Sequence, residues 1–162
     1  MSYQCACCGQ THDDLPDIGS AAPWPMYTIP EQERAQRVRL TKDTCVIDDQ
    51  EFFVRAVLEI PVHGQEQTFG FGVWVSQSEE HFRCYQQHPN TNDIGPFFGW
   101  LCTEIQVFAP TLSLKTKAHF QGNGLRPWIE LEPTDHPLAV AQREGISLAR
   151  AWEIVHEYLP RE

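Results

Sequence analysis

No stretch of this chain approaches the roughly 18 consecutive apolar residues that a membrane-crossing helix requires, and the amino terminus lacks the basic region and apolar run of a secretory leader. A membrane span and an exported product are therefore not expected. Basic residues are scarce: 12 Lys and Arg stand against 22 Asp and Glu, a formal net charge of −10. A surface of that sign repels phosphate backbones and anionic membranes, so nucleic acid and membrane drop out as expected partners. A protein or small-molecule partner is left, of unknown identity. The acids are spread from Asp13 to Glu162 without a run of five like charges, which describes a solvated surface rather than an acidic tail. No G-x-S-x-G, Walker loop, H-E-x-x-H or dinucleotide fingerprint occurs, and there is no internal repeat.

Cysteine is where the chain becomes specific. Three of the six cysteines fall within four positions, in Cys5-Ala6-Cys7-Cys8-Gly9-Gln10-Thr11-His12. A C-x2-C-G turn lets two thiolates point the same way, and His12 follows at a spacing that could supply a third ligand. This is half of a structural zinc site, because no second C-x-x-C completes it. Cys5, Cys8 and His12 are the candidate metal ligands and zinc the candidate cofactor. Cys45, Cys102, His119 and His136 are the candidates for a fourth ligand, with the competing reading an ordered turn of reduced cysteines. A redox C-x-x-C would open a helix after a strand, a context that Gly9 and the following loop deny. Cys45, Cys84 and Cys102 stand alone in apolar or helical settings, and a chain of 162 residues does not need disulfide staples. The expected compartment is the reducing cytoplasm.

The hydrophobic pattern predicts an α+β fold: a mainly antiparallel sheet, helices packed on one face, and the cysteine-rich turn at the amino terminus. One domain over 1–162 is expected, with the turn and a proline-rich loop in 1–29 and the α+β body in 30–162. Pro30 opens a short helix, and Thr44–Ile47 forms a strand ending at Asp48-Asp49. Alternation from Phe52 to Val62 and from Gln67 to Ser76 predicts an antiparallel pair, with Gly70 and Gly72 admitting another backbone or ring against the sheet. Ser76 and Glu79 have capping-box spacing for a helix carrying Phe82 and Tyr85. Phe97–Cys102 reads as a buried strand or a tight turn.

Thr111–Phe120 and Trp128–Glu132 alternate around Asn123-Gly124, a strong hairpin signal. That register buries Leu112, Leu114, Ile129 and Leu131 and sets Lys117 against Glu130 and Lys115 against Glu132. Pro127 would then face Phe120 with no N–H to give, so the hairpin should flare near its turn. Two helices close the chain. The first is capped by Asp135 or His136, has Pro137 in its first turn and ends at Gly145. Ser147 caps the second, with Leu148, Trp152, Val155 and Leu159 as its apolar stripe.

Taken in order, the C-x2-C-G-x2-H turn, Val57-Leu-Glu-Ile-Pro61, Phe98-Gly-Trp-Leu-Cys102 and the run from Leu131 to Gly145 resemble the DUF2199 family of bacterial proteins of unknown function. The resemblance spans almost the whole chain. It implies a single bacterial domain and supplies no activity, substrate or catalytic residue. Cys7 is an extra thiol relative to the family's turn, which leaves open which two cysteines would share a metal.

The remaining constellations favour structure over chemistry. Asp135-His136 at a helix start could orient an imidazole for acid–base work, but helices need caps far more often than catalytic groups. Glu130 and Glu132 face lysines in a charge ladder. The expected function is thus a non-catalytic cytosolic binding or regulatory module carrying a structural zinc site. The alternative is a small hydrolase or metal-dependent enzyme using Asp135, His136 and the cysteine turn, which would need those groups to converge in one cleft.

Overall fold

The computed structural model describes residues 3–5, 10–12 and 14–159. A two-stranded amino-terminal hairpin of β1 (Tyr3–Gln4) and β2 (Thr11–His12) precedes the helices α1 (Trp24–Tyr27) and α2 (Glu31–Arg37). The main sheet is built from β3 (Val38–Leu40), β4 (Thr44–Ile47), β5 (Glu51–Ile60) and β6 (Phe69–Gln77). After α3 (Glu79–Gln87) it gains β7 (Phe97–Trp100), β8 (Lys115–His119) and β9 (Trp128–Leu131). Helices α4 (Pro137–Glu144) and α5 (Leu148–Tyr158) follow. Among the described residues no helix is long and apolar enough to cross a membrane.

β5 is the hub of the sheet. Its two edges carry β6 along one side and β4, then β9, along the other. Strand order is β3-β4-β5-β9-β8-β7, with β6 on the opposite edge of β5. All pairings in it are antiparallel except β5 with β9, which meet in parallel at Val57 and Trp128, so the sheet is mixed. It curls until the chain leaving β7 reaches β6: Leu101 bridges Val75, and the Cys102 N–H donates to the Trp74 carbonyl at 2.8 Å. Inside the curl lies the larger core, with Val54, Ala56, Leu58, Phe69, Val73 and Ile129 joined by Leu138 of α4 and Trp152, Ile154 and Val155 of α5. The opposite face holds a smaller cluster of Ile29, Cys45, Ile47, Phe53, Trp74 and Cys102 beneath Met26 of α1. Alternation sends Val54, Ala56, Leu58 and Ile60 to the larger core, while the other face of β5 contributes Phe53 to the smaller cluster and then turns polar at Arg55 and Glu59.

Local chemistry explains most boundaries. Asn123 and Gly124 both have positive φ, 54° and 74°, and the Leu125 N–H returns to the Gly122 carbonyl at 3.0 Å, a two-residue turn that suits Asn-Gly. Lys117 faces Glu130, and the Glu132 N–H donates to the Lys115 carbonyl. The hairpin does flare before its turn: pairing stops at His119 and Trp128, and the Pro127 carbonyl accepts instead from the Val57 N–H at 2.9 Å. Beyond the single β5 pairing at Trp128, Gln142 of α4 satisfies β9, its side-chain amide accepting from the Leu131 N–H and donating to the Ile129 carbonyl. Gly70 and Gly72 admit the amino-terminal loop. Ile18 forms a parallel bridge there, bonded to both glycine backbones, and a Cβ on Gly70 would strike the Asp17 carboxylate at 2.6 Å.

Two expectations shift, and one open alternative is decided. The alternation read from Thr111 overshoots, because residues 111–114 make a turn with Ser113 at φ 68° and β8 begins at Lys115, leaving Leu112 and Leu114 half-buried. The cap of α3 is Ser78, whose Oγ accepts from the His81 N–H, rather than Ser76. Helix α4 is capped by the His136 ring, not by the Asp135 carboxylate.

Candidate metal centre

The amino-terminal hairpin forms because Tyr3 pairs with His12 and Gln4 with Thr11, after which the Cys5 N–H donates to the Gln10 carbonyl at 2.8 Å. Cys5 itself is buried, only 2% exposed, in the larger core. α5 supplies the facing surface. Ser147 caps it by accepting the Arg150 N–H, and Trp152 and His156 lie four residues apart on one face. The His12 ring stacks on the Trp152 indole, with centroids 3.8 Å apart and planes within 15°, and His156 lies tilted beside it at 5.4 Å.

The result is a group of Cys5, His12 and His156 whose ligand atoms all lie within 4.8 Å of one another, close enough to hold a metal ion. The Cys5 Sγ and His156 Nε2 are 3.5 Å apart. Bonds of about 2.3 Å to sulfur and about 2.1 Å to nitrogen at a tetrahedral angle would separate the two atoms by about 3.6 Å. A shared tetrahedral ion would therefore need little movement along that edge. Cys7 and Cys8 lie outside the described residues.

None of the four residues considered as a distant ligand joins this group. Cys45 and Cys102 are packed in the smaller core, where burial and, to a lesser extent, nearby Glu51 push their thiols up to about 11. His119 stacks on Trp128 across the hairpin, and its Nε2 lies 3.0 Å from the Glu130 carboxylate. His136 uses both ring nitrogens on backbone: Nδ1 accepts from the Leu138 N–H at 3.0 Å and Nε2 donates to the Pro110 carbonyl at 2.6 Å. That fixes a neutral imidazole with its proton on Nε2. Asp135 is exposed and, like His136, stands outside the Cys5 group. The residue of this group that sequence reading missed is His156. Its signal was a histidine four residues after the tryptophan of an amphipathic helix, a pattern that core packing also produces.

A family model described as an uncharacterized protein conserved in bacteria, DUF2199, matches residues 4–146. The chain belongs to the DUF2199 family. Cys5 and His12 fall inside the DUF2199 match, while α5 with Trp152 and His156 follows it. Searches of curated proteins and of solved structures each return no match.

Proposed function

We propose that this DUF2199 chain is a non-catalytic binding module whose two ends are clamped by a structural zinc ion. The ligands are Cys5, Cys8, His12 and His156. The observation that carries the reading is the convergence of Cys5 and His156, 151 residues apart in sequence, at tetrahedral spacing beside His12. Cys8 enters through its C-x2-C spacing from Cys5, with Cys7 the neighbouring thiol that could take its place. Two thiolates and two imidazoles saturate tetrahedral zinc, leaving no open position for substrate or water, which favours a structural over a catalytic role. The stack on Trp152 supports this, because it fixes the His12 imidazole in one orientation. Thiolate ligands also need a reducing environment, so the cytoplasm is the compartment that fits.

Elemental analysis of protein purified without chelators should find about one equivalent of zinc. Cys8→Ser and His156→Ala should each lower it severalfold, and a parallel Cys7→Ser variant identifies which thiol binds. Less than about a tenth of an equivalent of any transition metal in the wild-type protein would refute the clamp.

A further inference from the structure

A second surface of the molecule is open and lined by exposed aromatic side chains. Two depressions, of about 460 Å³ and 340 Å³, flank α1 and share Cys102 in their linings. The first is lined by Glu51 and Trp100, among others, and the second by Trp24, Tyr27 and Glu104. α1 is docked between them, its Trp24 N–H donating to the Cys102 carbonyl at 2.8 Å. Three of the lining aromatics are large and wet: Trp24 and Tyr27 are each 48% exposed and Trp100 43%.

The charged side chains that line this groove among the described residues are acidic. Among the described residues neither depression is lined by lysine or arginine. Glu51 and Glu104 form no ion pair among the described residues, whereas Asp48 pairs with Arg37, Asp49 with Arg39 and Glu33 with Arg37. The Glu104 Oε1 is occupied by the Thr111 N–H and hydroxyl, which fixes the carboxylate in place. Gln77 is a lining residue too, and its buried Oε1 lacks a donor. Half-exposed aromatic faces beside unpaired carboxylates are the two elements that bind an organic cation. Tyr27 already shows the preference, since the Arg34 guanidinium lies over one face of its ring at 5.8 Å. Both depressions open broadly to solvent, whereas a small ligand needs most of its surface enclosed. An extended segment crossing both is the occupant that fits.

We propose that the groove on either side of α1 receives an extended, arginine- or lysine-bearing segment of another polypeptide, with cationic side chains over Trp100 and Trp24 and against Glu51. This rests on the reading of the chain as a binding module and gives the partner its chemistry. The net charge of −10 would add attraction at a distance.

The test is a titration, in moderate salt, of a fluorescent peptide of alternating arginine and glycine, with the glutamate-and-glycine peptide as control. Saturable binding of the basic peptide alone is expected. Glu51→Lys should weaken it by about tenfold or more and Trp100→Ala by about fivefold. Glu66→Lys changes net charge equally from an exposed site outside the groove and should stay within about twofold. Absence of saturable binding, unchanged binding in both groove variants, or an equal loss with Glu66→Lys would each overturn the proposal. Zinc content measured on the same samples separates the two readings. A protein with its full equivalent that ignores the peptide refutes the groove and leaves the clamp standing.

Discussion

Cys45 and Cys102 sit in the smaller core with Trp74 and Phe53, and both thiols are pushed from an ordinary value of 9.0 to about 11, chiefly by burial. The folded state therefore holds these two protons over a range in which the unfolded chain has released them. Stability falls wherever the native state binds more protons than the unfolded one, so it should decline as pH rises from about 9 toward 11. Urea midpoints across that window should drop, and Cys45→Ala should make the drop shallower while lowering stability at pH 7 through the small cavity it opens. A pH dependence identical in wild type and Cys45→Ala would show that the thiol does not contribute. At this scale sequence was least decisive. Cys45, Cys102, His119 and His136 all had the chemistry of a ligand, and packing, ring stacking or capping claimed each of them.

Helix α4 shows what an element requires at its start. His136 accepts the Leu138 N–H and spans to the Pro110 carbonyl, so one ring caps the helix and ties it to the turn before β8. His136→Ala should cost about 2 kcal/mol, the sum of a lost cap and a lost hydrogen bond. Asparagine caps well but is too short to replace both contacts, so His136→Asn should recover about half. Chemical denaturation of the three proteins measures this. A neutral alanine variant would mean that water replaces the ring without loss. Elements were the most legible level of the sequence. The paired alternation of β5 and β6, the Asn123-Gly124 turn, the Gly145 stop and the Ser147 cap all act within a few residues of themselves. The failure over residues 111–114 had its cause seven to eight residues upstream, outside the alternating segment. Thr111 is held by Glu104 and by the Thr103 carbonyl, which bends the chain out of the strand its pattern suggested.

At the scale of the molecule, the proposed zinc clamp joins the first described strands to the last helix. α5 otherwise holds on through its apolar face, with Ala151, Trp152, Ile154 and Val155 buried. Binding that exists only in the native state adds its free energy to folding. Zinc removal by a chelator should lower the thermal midpoint by several degrees and speed amide exchange in α5 more than in β5 or β6. Unchanged exchange in α5 after the metal is gone would show that the helix is held by packing alone.

The sequence by itself determined the α+β class, the alternating strands, the caps and turns, and a cysteine-histidine turn at chelating spacing. Each of these depends on residues close together in the chain. Tertiary structure alone decided the parallel join of β9 to β5, the curl that returns β7 to β6, and the choice of His156 as the residue facing Cys5. It also placed Glu51 and Glu104, which form no ion pair among the described residues, beside exposed aromatics. The reason is physical: periodicity says which side of an element is apolar, but which apolar sides meet depends on burying all of them at once.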